Sequence, residues 1–128
     1  MKAEDVLSRL ASLIAERKRL RPEGSYVVSL FDGGHEAIAA KVSEEAAELI
    51  EAAGEDDLEH TAHEAADLLF HVCVLLENSG VSLDQVTSEL ESRFGISGLE
   101  EKASRTPSNK NSDANETTSE NTKDKGNA

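Results

Sequence analysis

The chain has 128 residues, with 26 acidic side chains against 13 basic ones, and its formal net charge is −13. Such an acidic surface argues against nucleic acid or an anionic membrane as a partner, because both bind basic surfaces, and it favours divalent cations. One cysteine excludes an internal disulfide, and no apolar run approaches the ~18 residues of a membrane span or forms a secretory signal, so we expect a soluble cytoplasmic protein.

The first predicted element is a helix over residues 3–20, because apolar residues recur there at spacings of three and four. A basic run at residues 17–21 suits its C-terminal end, and Pro22 with Gly24 interrupts the pattern. Ser25 is a candidate N-cap for a short segment over 26–31, which we assign to helix because no partner strand is evident. Asp32-Gly33-Gly34 is a predicted turn.

Two long helices are predicted next, over about 35–53 and up to about residue 78. Gly54 stands where a left-handed residue is expected to end the first, and Asp56 with Glu59 resembles a capping box for the second. A further box, Ser82 with Gln85, opens a helix that runs to Phe94. The apolar stripe of the first long helix comprises Ile38, Val42, Leu49 and Ile50, with Ala39, Ala46 and Ala53.

The composition changes near Arg105. Residues 106–128 contain two alanines as their only apolar residues and carry a net charge of −1. Such a segment buries too little apolar surface to offset the entropy of ordering it. We therefore predict a helical domain over 1–105 and a disordered polar tail over 106–128. A domain of about 105 residues is small enough that burial against a second copy would help it.

Acidic side chains recur at three-residue spacing on the two long helices. Glu45 and Glu48 lie about 60° apart on one helix, with Glu44 beside them and Lys41 between them, and Glu64 and Asp67 repeat the spacing on the next. A short connection makes the helices antiparallel neighbours, so the two acidic faces can oppose each other. Carboxylate oxygens without cysteine select hard ions, Mg²⁺ or Mn²⁺.

The alternative is that these acids form a solvated helix face, and spacing alone leaves the two interpretations about equal. The histidines do not decide between them. His71, between Phe70 and Val72, is predicted either to be packed or to support a metal ligand, rather than to be a ligand itself. His35, His60 and His63 show no partner spacing. The E-x-x-H pattern of di-iron proteins is absent, and so are phosphate-binding glycine loops. Cys73 is predicted to be a core residue.

Four segments resemble the phosphoribosyl-ATP pyrophosphatase family, an all-α group related to MazG. They are Pro22-Glu-Gly-Ser-Tyr26, Lys41-Val-Ser-Glu-Glu-Ala-Ala-Glu48, Glu64-Ala-Ala-Asp-Leu-Leu-Phe-His71 and Val74-Leu-Leu76. The resemblance covers about residues 5–105 and implies a dimeric MazG-like bundle of four to five helices. It also implies Mg²⁺-dependent hydrolysis of phosphoribosyl-ATP to phosphoribosyl-AMP and pyrophosphate, the second step of histidine biosynthesis, by metal-activated water.

The resemblance assigns roles by motif position. Glu45, Glu48, Glu64 and Asp67 correspond to metal ligands, and Glu44 to a further ligand or to the group that orients water. Lys41 would meet a phosphate oxygen, with an arginine among Arg9, Arg17, Arg19 and Arg93. Ser25 and Tyr26 would line the substrate site. The chain departs from the family pattern at Val27, Ser43 and Phe70, but none of these replaces a carboxylate.

Two rival functions remain open at this stage. A related enzyme that hydrolyses ordinary or damaged nucleoside triphosphates would use nearly the same residues. A non-catalytic helical adaptor would carry the acids as a solvated face, and divalent metal would then leave its thermal stability unchanged.

Overall fold

The computed structural model describes residues 2–94. Within that range the chain forms four helices and no strand, which confirms the predicted all-α class. The predicted domain boundary at residue 105 and the predicted tail over 106–128 lie outside the described residues. Residues 1–86 form one structural unit, and a second begins at Thr87.

Helix α1 spans Ala3–Leu20, as predicted. It ends at Arg21, whose backbone is left-handed and whose N–H donates to the carbonyl of Arg17 at 2.8 Å. Lys18 attaches α1 to the other helices: its Nζ donates to the carbonyl of Glu77 at 3.1 Å and lies 5.7 Å from the centre of the Phe31 ring.

Helix α2 spans Tyr26–Gly54 and is capped by Ser25, whose hydroxyl accepts from the N–H of Val28 at 3.3 Å. The predicted short segment over 26–31 is therefore helical, and it continues into the second predicted helix. The turn predicted at Asp32-Gly33-Gly34 is observed as a kink within α2. Gly34 has φ 76° and ψ −170°, which is a conformation that residues with a Cβ rarely adopt.

The connection between α2 and α3 corrects two predicted details. Gly54 is the last residue of α2 and is not left-handed, since the positive φ belongs to Asp56. Helix α3 spans Leu58–Ser79, and its N-cap is Asp57, whose carboxylate accepts from the N–H of His60 at 3.0 Å. The predicted box of Asp56 with Glu59 was wrong by one residue, because the adjacent Asp56 and Asp57 are chemically equivalent caps.

Helix α3 ends at Gly80, which is left-handed. The predicted box of Ser82 and Gln85 is confirmed by two reciprocal hydrogen bonds, at 2.9 and 3.1 Å. It opens helix α4, Leu83–Phe94. Near the end of α4 the Arg93 guanidinium pairs with the Glu89 carboxylate at 3.0 Å, and both side chains are exposed.

The hydrophobic core lies where α1 meets the antiparallel pair of α2 and α3. Its fully buried side chains include Ile14, Ile38 and Val74, and its other buried members are Val27, Leu30 and Cys73. The predicted apolar stripe of α2 was wrong near its end, since Ile50 is 73% exposed and Ala52 is buried in its place. No single described helix is long and apolar enough to cross a membrane; α3 and α4 reach that composition only as a bent pair.

Candidate metal centre

Three carboxylates converge between α2 and α3. Glu45 and Glu48 lie one turn apart on α2, and Glu64 faces them from α3, so that one oxygen from each lies within 4.8 Å of the other two. The three-residue connection at 55–57 makes the helices antiparallel neighbours and brings the acidic turns together. The predicted opposition of the two acidic faces is therefore observed for these three residues.

Two of these carboxylates are deeply buried. Glu45 is 6% exposed and Glu64 is 8% exposed, and Oε1 of each has no hydrogen-bond partner. A buried carboxylate oxygen without a donor costs free energy that a solvated helix face would not incur. A bound cation would satisfy both oxygens, so the donor set fits a hard metal ion.

The electrostatics of Glu48 reflect the same crowding. Desolvation, together with the neighbouring carboxylates of Glu45 and Glu64, raises the pKa of Glu48 above its ordinary value. Loss of hydration disfavours the ionised form of Glu48 most, and repulsion from the neighbouring anions disfavours it further. A divalent cation would reverse that preference.

The structure places Asp67 beside Glu64 but in a second group, with His63. Its Oδ2 lies 3.4 Å from the Nε2 of His63, and one ligand atom from each of His63, Glu64 and Asp67 again lies within 4.8 Å of the others. Side chains of Asp67 and His63 are 41% and 69% exposed. Glu64 therefore belongs to both groups.

The histidine prediction was wrong for two residues. His63 contacts Asp67, and the Nε2 of His60 lies 3.1 Å from an oxygen of Glu64. Both pairs have a spacing of four, which places side chains on one helix face. That spacing is visible in the sequence, so H-x-x-x-E and H-x-x-x-D would have identified them.

Lys41 lies at the edge of the cluster. Its Nζ is 3.4 Å from Glu44 and 3.5 Å from Glu45. Partial burial lowers the pKa of Lys41, but Tyr26 and Glu44 outweigh that and raise it on balance, so the ammonium group stays charged. Glu44 itself is exposed and points to Lys41, which leaves it outside the group of three.

The two residues predicted to line the substrate site differ in their contacts. The Ser25 hydroxyl caps α2, whereas the Tyr26 hydroxyl lies 2.8 Å from the Nε2 of His71. Both residues line an open cavity of about 650 Å³ bounded by Arg21 and Asp32, which form an ion pair.

His71 and Cys73 are both buried, as the sequence predicted. His71 is 5% exposed and packed against Phe70, with ring centres 5.1 Å apart. Cys73 is buried, and its burial raises the pKa of the thiol. A thiol with a raised pKa is a poor nucleophile at neutral pH.

These features define a MazG-like helical bundle with a carboxylate cluster able to bind a metal ion between two antiparallel helices. The sequence profile described as phosphoribosyl-ATP pyrophosphohydrolase matches residues 7–94, and the chain belongs to that family.

Curated relatives agree with that assignment. The phosphoribosyl-ATP pyrophosphatase of Aromatoleum aromaticum is 50% identical over 104 residues, which cover 81% of this chain and 96% of the relative. Those of Azoarcus sp. and Rhodopirellula baltica are also 50% identical, over 101 and 109 residues. These matches cover 79% and 83% of this chain and 94% and 90% of the two relatives.

Proposed function

We propose that the chain hydrolyses phosphoribosyl-ATP to phosphoribosyl-AMP and pyrophosphate, the second step of L-histidine biosynthesis. Membership of the family and 50% identity to relatives named for this activity support the proposal. The observation that carries it is the convergence of Glu45, Glu48 and Glu64, two of which have buried oxygens without hydrogen-bond partners.

The proposed cofactor is Mg²⁺, with Mn²⁺ as a substitute. Glu45, Glu48 and Glu64 would form one set of ligands, and Asp67 would join Glu64 in the second. Hard cations prefer such carboxylate oxygens and leave coordination positions for phosphate and water. When bound, such an ion polarises phosphate oxygens and lowers the pKa of a coordinated water. It also cancels part of the repulsion between an acidic protein and an anionic substrate.

The protein's own groups have distinct proposed roles. The carboxylates of α2 and α3 would hold the cation on rigid helices and, through it, the reacting phosphates. Positioning and electrostatics supply most of the catalysis of phosphoryl transfer. Lys41, held charged beside Glu44 and Glu45, would donate to a phosphate oxygen. Glu44 is exposed and would orient the attacking water.

The decisive experiment measures pyrophosphate release from phosphoribosyl-ATP while Mg²⁺ is titrated. We expect turnover to require Mg²⁺ and to be abolished in Glu48→Gln and in Asp67→Asn, with helical content by circular dichroism intact. Glu51→Gln is the matched control, because Glu51 lies on the same helix but is exposed. Turnover that survives excess chelator would exclude this mechanism.

A substrate panel separates the proposal from the related housekeeping activity. We expect phosphoribosyl-ATP to be turned over with a much higher kcat/KM than ATP or deoxynucleoside triphosphates. The reverse order would assign the chain to nucleotide-pool hydrolysis, with the same carboxylates. No turnover of either, with no effect of Mg²⁺ on thermal stability, would favour a helical adaptor.

We further propose that the protein is a cytoplasmic homodimer that binds neither nucleic acid nor membrane. Large apolar side chains stand exposed near the connection of α2 and α3, where Ile50 is 73% and Leu58 is 86% exposed. Burying them against a second copy would recover hydrophobic free energy. Sedimentation velocity should give about twice the mass of the chain, and Ile50→Glu should shift it toward the monomer.

A further inference from the structure

Tyr26 and His71 connect the start of α2 to the turn of α3 that carries Asp67. His71 is 5% exposed, and both of its ring nitrogens have partners. Nδ1 lies 2.8 Å from the backbone carbonyl of Asp67, and Nε2 lies 2.8 Å from the hydroxyl of Tyr26. A connection of two short hydrogen bonds therefore runs from Tyr26 to the backbone of a proposed metal ligand.

The direction of both hydrogen bonds follows from the chemistry of the groups. A carbonyl oxygen can only accept, so Nδ1 of His71 carries the hydrogen and donates to Asp67. In the neutral ring Nε2 is then an acceptor, and the Tyr26 hydroxyl must donate to it. The hydrogen of the Tyr26 hydroxyl is therefore donated to His71 and is not available to a substrate in the cavity.

The aromatic side chains around His71 hold its ring in place. The rings of Tyr26 and Phe70 both meet the imidazole edge to face, with centres 5.8 and 5.1 Å away, and stack on each other at 6.1 Å. A ring packed in this way has one orientation, so the two hydrogen bonds reinforce each other. Tyr26 as a whole is 50% exposed, and it lines the cavity beside Ser25.

From this geometry we propose that Tyr26 and His71 are positioning residues: the Tyr26 hydroxyl orients His71, and His71 fixes the turn of α3 that presents Asp67 to the metal. The proposal rests on the proposed function of Asp67 as a ligand. In this proposal the hydroxyl of Tyr26 supports the metal centre, while its ring faces the cavity. Groups that hold metal ligands typically contribute 10- to 100-fold to metal affinity or activity.

The test compares Tyr26→Phe, which keeps the ring and removes the hydroxyl, with the wild-type chain. Mg²⁺ affinity is measured by thermal melting without substrate, and kcat and KM are measured separately with phosphoribosyl-ATP. We expect the half-saturating Mg²⁺ concentration to rise about 10-fold and kcat to fall about 10-fold, with KM within a factor of about two. Ser79→Ala is the control, because it removes a hydroxyl on α3 that donates to the backbone carbonyl of Leu75, away from the carboxylates, and it should change none of these.

A double-mutant cycle tests whether the two residues act through each other. His71→Asn keeps a donor near the position of Nδ1 and loses the acceptor for Tyr26. We expect the double variant, Tyr26→Phe with His71→Asn, to be no worse than His71→Asn alone, because the connection is already broken. Independent, multiplicative losses would overturn the proposal.

Two other results would also overturn it. An unchanged Mg²⁺ midpoint in Tyr26→Phe would show that the hydroxyl does not serve the metal centre. A rise in KM with unchanged kcat would show that the hydroxyl binds substrate directly. If instead the wild-type chain fails to turn over phosphoribosyl-ATP, the proposed function fails, and the Mg²⁺ midpoints still decide the positioning role.

Discussion

Glu64 and His71 are both buried polar residues on α3, seven residues or about two turns apart, but their surroundings differ. His71 is 5% exposed with both ring nitrogens hydrogen-bonded. Glu64 is 8% exposed, and its Oε1 has no partner. Buried polar groups in proteins are generally hydrogen-bonded, so the unpaired Oε1 of Glu64 is consistent with a group that could bind a cation. The described part of the fold therefore supplies hydrogen-bond partners for both ring nitrogens of His71 but none for Oε1 of Glu64.

Neutralising Glu64 should separate it from His71 most strongly. We expect Glu64→Gln to reduce turnover of phosphoribosyl-ATP by at least about 100-fold, since a ligand and its charge are lost. In chelator its free energy of unfolding should equal or exceed that of the wild type, because a crowded carboxylate is removed. Urea unfolding with excess chelator measures this, and Glu59→Gln, an exposed change on the same helix, is the control. Strong destabilisation with retained turnover would invert the roles assigned to the two residues.

Binding of Mg²⁺ to the carboxylates around Glu64 should stabilise the folded chain. At Mg²⁺ concentrations about 100-fold above its dissociation constant, we expect about 2.7 kcal/mol of stabilisation by linkage. For a domain of this size that corresponds to a rise in Tm of about 10 °C or more. Differential scanning calorimetry measures the rise, which should be absent from Glu45→Gln. An equal rise with a monovalent salt of matched ionic strength would point to general screening instead.

Replacing His71 should lower the stability of the chain, whereas neutralising Glu64 should not. We expect His71→Ala to lower the free energy of unfolding by about 1–3 kcal/mol, with or without Mg²⁺, because it leaves a cavity and breaks two partly buried hydrogen bonds. Chemical denaturation in chelator and in saturating Mg²⁺ measures the two values. The exposed His35→Ala is the matched control. A loss seen only with Mg²⁺ bound would mean that His71 acts solely through the metal centre.

Glu48 should give the stability of the chain a weak dependence on pH. Its pKa is raised above 4.5 in the folded chain, so the stability linked to its protonated form is full below the unfolded value. That stability is lost as pH rises through the raised folded value. In chelator we therefore expect Glu48→Gln to have a slightly higher Tm than the wild type near neutral pH, and the difference to vanish below about pH 4. Melting curves across that range measure it; a constant difference at every pH would contradict this origin.

Much of the fold was predictable from local sequence. Apolar spacing located α1 at 3–20, and the reciprocal pair of Ser82 and Gln85 located the start of α4, because both signals depend on residues within one or two turns. The start of α3 was missed by one residue, since Asp56 and Asp57 are chemically equivalent caps and only the path of the chain selects between them. Ile50 was misplaced because periodicity identifies a stripe but not which of its edges faces the neighbouring helix.

Part of the candidate site was also predictable from the sequence. Glu45, Glu48 and Glu64 were identified from spacing, and the short connection between their helices predicted their convergence. The separation of Asp67 toward His63 depends on side-chain rotamers, which the sequence does not specify. The contact of Tyr26 with His71 joins residues 45 positions apart, and no local pattern encodes such a contact.

The kink at Gly34 explains how that distant contact forms. Because Glu45 faces Glu64 across two antiparallel helices, the residue level with His71 on a straight α2 would be about Ile38. Tyr26 precedes Ile38 by twelve residues, which is about 18 Å along an unbroken helix. The change of direction at Gly34 turns the part of α2 that precedes it back toward α3, where Tyr26 contacts His71. An insertion or deletion between Gly34 and Glu45 would slide the two helices out of register, so the length of that stretch is as constrained as the residues within it.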